Sequence, residues 1–194
     1  MSMRPLIYSV KSLKPIREAL GSNDASLLER MIDGYTKLYG GEPDQDSLKR
    51  VHEMGQSFLQ GDLRGNKELG KWQEAIHLLA QSLGILETEF PINDDWKWDA
   101  WDDYAQVVGN DLSTETRQLL VWLIEGRPLK ASAIEADASY FAWLTTDEVE
   151  RLLNELKQLE ERNPDIKDVV DGFHSELVEW LDACQGNNLL VIAS

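Results

Sequence analysis

The densest set of chemically active side chains lies between Asp94 and Asp103, a stretch that we call the acidic tryptophan segment. Its ten residues include five aspartates and three tryptophans. Aspartate normally faces water and tryptophan normally seeks burial, so their mixture in one short stretch needs an explanation. Carboxylates attract Lys and Arg, and an exposed indole ring stacks on the same cations. One chemistry available to this segment is therefore the recognition of a positively charged surface.

Three interpretations of the acidic tryptophan segment remain open from the sequence. In the first, it is an amphipathic turn or helix whose tryptophans cover the core while its aspartates face water. In the second, it binds a cationic protein through some or all of Asp95, Trp96, Trp98, Asp99, Trp101, Asp102 and Asp103. In the third, it binds calcium or magnesium, although it lacks the glycine and the terminal glutamate of the usual calcium loop.

The charge of the chain supports a cationic partner and argues against an anionic one. The net charge is −16, and residues 1–60 contribute nothing to it because their eight basic and eight acidic residues cancel. Residues 87–115 alone hold nine acids and one base. Nucleic acids and anionic membranes bind through positive protein charge, so neither is an expected partner. A basic protein, a metal ion or a polyamine suits this field, although acidity also serves solubility alone.

Two histidines offer the alternative of an enzyme. His77 follows Glu74 by three residues, and His174 follows Asp171 by three, which places each carboxylate and histidine on one helical face. Di-iron bundles use such pairs, but they need further carboxylates that point into the bundle. Here both histidines lie beside the apolar stripe of their helix rather than at its centre. A metal-dependent or small-molecule enzyme that uses His77, His174 and nearby carboxylates is thus the alternative to a binding protein.

No other catalytic motif stands out. The chain has no glycine-rich phosphate loop, no Cys-x-x-Cys, no His-Glu-x-x-His and no Gly-x-Ser-x-Gly. The single cysteine, Cys184, belongs to an apolar helical stripe, which favours a buried hydrophobe over a nucleophile. We therefore assign no catalytic residue, metal ligand or cofactor, and we expect a protein without enzymatic activity.

The elements that must position these residues are mainly helices. Apolar residues recur at helical spacing in about seven segments. Ser113 and the Thr145-x-x-Glu148 capping box predict two helix starts, and one continuous helix is predicted from about Asp165 to Cys184. Alternating or uniformly apolar runs predict four strands, at 6–10, 85–90, 140–144 and 189–193.

The order of these elements predicts an α+β fold in one domain over residues 1–194. The final strand is apolar on both faces, so it should lie inside a sheet with the first strand as its neighbour. We expect a small mixed sheet that contains both chain termini. A short, interrupted N-terminal apolar stretch argues against a signal peptide, and a single cysteine favours the reducing cytoplasm.

Several short stretches resemble small uncharacterised bacterial proteins. They are Tyr8-Ser9-Val10-Lys11-Ser12-Leu13, Leu20-Gly21-Ser22-Asn23-Asp24 and Tyr140-Phe141-Ala142-Trp143-Leu144-Thr145 with Asp147-Glu148-Val149. The end, Gln185-Gly186-Asn187-Asn188-Leu189-Leu190-Val191-Ile192, is similar to the end of YfbM-like proteins. The resemblance implies a bacterial cytoplasmic α+β protein and supplies no catalytic residue. The leading expectation is an acidic interaction protein, with an immunity-type protein that neutralises a basic nuclease as one class that fits its size and charge.

Overall fold

The computed structural model describes residues 5–61, 71–90, 98–129 and 141–193. Within these ranges the chain forms eight α-helices, one short 3₁₀ helix and four strands. In chain order they are β1 (Pro5–Val10), α1 (Lys14–Ala19), α2 (Ser26–Tyr39), α3 (Gln45–Gln60), α4 (Lys71–Leu83), β2 (Leu86–Phe90), α5 (Trp98–Val108), α6 (Thr114–Glu125), β3 (Phe141–Leu144), α7 (Thr146–Arg162), the 3₁₀ helix (Pro164–Asp168), α8 (Phe173–Ala183) and β4 (Asn188–Ala193).

The four strands form one sheet in the order β2-β1-β4-β3. The α+β class is confirmed, and so is the prediction that β4 lies inside the sheet beside β1. The expectation of a mixed sheet is wrong, because all three pairings of the described strands are antiparallel. Two packed helices, α7 and α8, connect β3 to β4 and bring the chain back to the end of the sheet where β3 stopped, so β4 runs in the opposite direction.

Helices cover both faces of the sheet, and they form two layers with separate cores. The first layer is α1–α4, and it packs on the sheet face that carries Tyr8, Trp143 and Leu190. The second layer is α5–α8, and it packs on the face that carries Ile7 and Leu189. Adjacent residues of a strand point to opposite faces, so a sheet covered on both sides requires apolar residues at consecutive positions. This requirement explains the uniformly apolar sequence of β4.

The helix starts follow the capping residues that the sequence contains. The Ser113 hydroxyl accepts a hydrogen bond from the Thr116 amide at the start of α6. Thr145 and Glu148 form the predicted capping box of α7, with each side chain accepting a hydrogen bond from the other residue's amide. These bonds satisfy amide groups that the first turn of a helix leaves without intrahelical partners.

The prediction of one continuous helix from Asp165 to Cys184 is wrong. The chain forms a 3₁₀ helix, then a turn in which Val170, Asp171 and Gly172 all have positive φ angles, and only then α8. Left-handed backbone ends a right-handed helix, since its carbonyl and amide groups no longer point along the helix axis. The apolar spacing continues across this break because both helical pieces bury residues in the same core, including Ile166 and Phe173.

The predicted single domain over residues 1–194 stays a prediction, and Tyr140, which we predicted to begin β3, lies outside the described residues. Among the described helices, none combines the length and the apolar character that a membrane span requires.

Candidate acidic interaction surface

The last six residues of the acidic tryptophan segment lie on α5, which is the first helix of the second layer. Asp95 and Trp96 lie outside the described residues, as do the side chains of Trp98 and Asp99. The side chains of the remaining candidate residues point to different sides of the helix, as helical geometry requires. Trp101 faces the core, whereas Asp102 and Asp103 are exposed.

The Trp101 side chain belongs to the core of the second layer and is only 2% exposed. Its ring meets Phe173 edge-on, with the centroids 4.8 Å apart, and it stacks on Trp180 at 6.2 Å. Aromatic pairs with these geometries add to the stabilisation that burial provides. Trp101 therefore fits the interpretation in which a tryptophan covers the core, and its ring is not available to stack on a partner.

The six acidic side chains that the structure describes between residues 87 and 115 divide into two groups according to their contacts. Three of them are already engaged: Glu87 pairs with Lys11 at 2.6 Å, Glu89 accepts a hydrogen bond from the Tyr8 hydroxyl, and Glu115 pairs with Arg151 at 2.8 Å. Asp102, Asp103 and Asp111 are exposed, and they form no ion pair with any described residue. Among the described residues, these three carboxylates are therefore the candidates to meet a cation.

A groove between α5 and α6 lies beside the exposed aspartates, and we call it the acidic groove. It has a volume of about 160 Å³ and is lined by Asp102, Ala105, Gln106, Arg117, Leu120, Val121, Ile124 and Glu125. A short connection joins the two helices, so the start of α5 lies beside the end of α6. Asp102 and Glu125 consequently border one end of the groove, and Arg117 lies about 12 Å from Glu125 along the axis of α6.

The lining of the acidic groove suits a long cationic side chain. Ala105, Val121 and Ile124 are half-buried and provide an apolar floor. The stems of Lys and Arg are apolar and their ends are charged, so they bury the stem along such a floor and keep the charge at its edge. Arg117 repels a cation at the far end of the groove, which favours the end at Asp102 and Glu125.

His174 is buried beneath α5 and forms a polar cluster with two neighbours. The Tyr104 hydroxyl lies 2.6 Å from His174 Nδ1, and Glu160 Oε1 lies 3.3 Å from His174 Nε2. Burial lowers the pKa of His174, and the Glu160 charge opposes that shift only in part. Burial also raises the pKa of Tyr104, so the phenol keeps its proton. A neutral histidine that accepts a hydrogen bond from the Tyr104 hydroxyl at Nδ1 carries its own proton on Nε2, which faces Glu160.

His77 forms a similar cluster in the first layer. Its Nε2 atom lies 3.1 Å from the Tyr8 hydroxyl, which donates to Glu89 Oε2 at 3.2 Å. Burial lowers the pKa of His77 and raises that of Tyr8. His77 and His174 thus belong to layers on opposite faces of the sheet, so the two histidines that the enzyme hypothesis requires do not meet in one site.

Metal and thiol chemistry each require a particular arrangement of side chains. Within them, no group of three or more His, Cys, Asp or Glu side chains is arranged to hold a metal ion. Cys184 is fully buried, and burial raises the pKa of its thiol to about 12. A thiol with that pKa holds almost no thiolate near neutral pH, and the thiolate is the nucleophilic form.

Comparison with known proteins gives no match to a family model, to a curated protein or to a solved structure.

Proposed function

We propose that this protein binds a positively charged protein surface through the exposed face of α5 and the acidic groove beside it. The observation that carries the proposal is the position of Asp102, which is exposed, has no ion-pair partner among the described residues and borders a groove with an apolar floor. A carboxylate beside an apolar groove matches both parts of a Lys or Arg side chain.

The distribution of charge supports a basic protein as the partner. Residues 61–194 carry the whole net charge of −16, and residues 87–115 carry half of it. Such a field accelerates the encounter with a cationic surface, and salt weakens this acceleration. An immunity-type protein that neutralises a basic nuclease is one class that fits the size and charge of the chain.

Reversal of charge on α5 tests this proposal. We would immobilise the protein, capture proteins from a bacterial lysate at low and high salt, and identify them by mass spectrometry. The Asp102→Lys/Asp103→Lys variant should lose a basic protein that the wild type captures at low salt. The Glu42→Lys/Asp46→Lys variant is the matched control, because it makes the same change in net charge at exposed residues of the first layer.

Two results would count against the proposal. One is the absence of any basic protein from the low-salt capture, and the other is an equal loss of binding in the α5 variant and in its control. An equal loss would show that net charge, rather than the surface of α5, determines the interaction.

A further inference from the structure

A second cleft lies at the end of the sheet where β1 and β3 stop and β4 begins. Its volume is about 480 Å³, and we call it the Arg17 cleft. It is lined by Ser12, Leu13, Lys14, Arg17, Glu18, Trp143, Thr145 and Asn188. Clefts that bind small molecules typically enclose about 300–1,000 Å³. The Arg17 cleft therefore has the size of a small-molecule site. Its helical residues belong to the first layer, whereas the acidic groove lies in the second layer.

Two arginine side chains lie over the ring of Trp143, which is only 4% exposed. The guanidinium carbon of Arg127 is 3.7 Å from the ring centroid, and that of Arg17 is 4.7 Å from it. Two cations on one ring repel each other unless anions compensate them. The contacts of each arginine therefore determine where further negative charge is favourable.

Arg127 is fully compensated by the protein itself. Its two terminal nitrogens donate to both carboxylate oxygens of Glu148, at 2.6 and 3.0 Å, and one of them also donates to the Trp143 carbonyl. The guanidinium additionally lies 3.9 Å from the centroid of the Trp122 ring. Paired hydrogen bonds of this kind are among the strongest polar contacts in proteins. Arg127 is thus a structural element of the sheet edge.

Within the described ranges, Arg17 has no such anion. It is exposed, it lies over Trp143, and it forms no ion pair with any described residue. Lys14 adds a second cation, and its only carboxylate neighbour among the described residues is Glu18, at 3.6 Å between two highly exposed groups. Exposed pairs of this type contribute little. Among the described residues, two weakly compensated cations therefore share one cleft of a protein whose net charge is −16.

The remaining side chains of the cleft complete a lining that is rich in donors. The Ser12 hydroxyl accepts from the Lys14 amide, and the Thr145 hydroxyl accepts from the Glu148 amide. Neither hydroxyl donates to another described residue, so each can donate its hydrogen to a ligand. Leu13 contributes a buried apolar side chain. A ligand with an oxyanion and a small apolar body would satisfy both parts of this lining.

We propose that the Arg17 cleft binds a small organic anion, whose carboxylate or phosphate group is held by Arg17 and Lys14 and whose apolar part packs on Leu13. The guanidinium fork of Arg17 rests on the ring of Trp143, which limits its freedom before a ligand arrives. An arginine that is held in place in this way loses less conformational entropy when it binds an anion. Glu18 disfavours ligands that carry several negative charges.

Nuclear magnetic resonance titrations with three probes test the proposal: phenyl phosphate, benzoate and the neutral benzyl alcohol. We expect the two anions to shift the backbone signals of Ser12, Thr145 and Asn188 and the indole N–H signal of Trp143. Arg17→Gln should weaken this binding roughly tenfold to a hundredfold, which corresponds to the loss of a charge-assisted hydrogen bond. Arg30→Gln is the matched control, because it removes the same charge from an exposed site on α2.

The outcomes of the titrations distinguish phosphate ligands from carboxylate ligands, and they include results that would overturn the proposal. Stronger binding of phenyl phosphate assigns the cleft to phosphate-bearing ligands, and stronger binding of benzoate assigns it to carboxylates. The proposal is overturned if neither anion shifts these signals, if benzyl alcohol binds equally well, or if Arg30→Gln weakens binding as much as Arg17→Gln does. Spectra of the unliganded variants verify that each of them is folded.

Discussion

Replacement of Trp101 by alanine should destabilise the protein without any partner present, because the ring belongs to the core. A buried tryptophan removes about 150–250 Å² from water. At about 25 cal/mol per Å², that area corresponds to roughly 4–6 kcal/mol, which is an upper estimate since unfolded chains already bury part of their apolar surface. Substitutions of this kind in other cores cost about 3–5 kcal/mol. We therefore expect Trp101→Ala to lower the free energy of unfolding by about 3–5 kcal/mol.

Urea unfolding followed by circular dichroism measures this loss. A slope of about 2 kcal/mol per molar urea converts the expected change into a fall of about 1.5–2.5 M in the midpoint. Asp103→Asn is the control on the same helix, and its exposed side chain should change stability by less than about 0.5 kcal/mol. A loss below about 1 kcal/mol for Trp101→Ala would refute the assignment of this ring to the core, because burial against Phe173 and Trp180 predicts several times more.

Three further predictions concern the rest of the molecule. The free energy of unfolding should decrease as the pH falls below 6.5, the ordinary pKa of histidine. Burial lowers the pKa of His77 and His174, so below that pH the unfolded chain binds protons that the folded chain excludes. Urea midpoints at pH 7.5 and 5.5 measure this decrease, which should be smaller in His174→Asn; an unchanged decrease would contradict the role of that histidine. Gly34→Ala should destabilise the protein by about 2 kcal/mol or more, because a Cβ atom there would lie 1.9 Å from a backbone oxygen of α4. Thermal unfolding checks this against Gly41→Ala, where a Cβ atom meets no atom within 4 Å, and equal effects would show that α2 and α4 do not pack this closely. Cys184 should react very slowly with a thiol reagent in the native state and rapidly in urea, because burial raises its pKa to about 12 and shields the sulfur. A rapid absorbance change with the native protein would contradict that burial.

Local signals in the sequence were sufficient to predict most of the elements. Capping residues such as Ser113 and Thr145 act within one helical turn, so their effect does not depend on distant parts of the chain. The uniformly apolar β4 likewise reveals a strand covered on both faces. The turn before α8 was missed because apolar spacing reports which residues face the core and does not report φ. The Asp171-Gly172 pair in that turn is a local signal of the break.

The candidate sites were less predictable, because their residues come from distant parts of the chain. Helical spacing separated Trp101 from Asp102 and Asp103, but it could not show that α6 completes a groove beside them. The Arg17 cleft combines residues near positions 17, 143 and 188, which only the pairing of β3 with β4 and of β4 with β1 brings together. No spacing rule connects those positions. The histidines show the converse. Their similar Glu-x-x-His and Asp-x-x-His spacings suggested an enzyme that uses both, whereas the structure places them on opposite faces of the sheet.

The most direct test of the proposed function is residue-by-residue mapping of a cationic ligand on the protein. Backbone signals would be followed by nuclear magnetic resonance while an arginine-rich nonapeptide is added at low salt and again at high salt. We predict that the largest shifts lie on α5 and the second half of α6, around Asp102, Ala105 and Glu125, and that salt abolishes them. Equal shifts on exposed acidic residues of the first layer, such as Glu42 and Asp46, would contradict a specific cation-binding surface on α5.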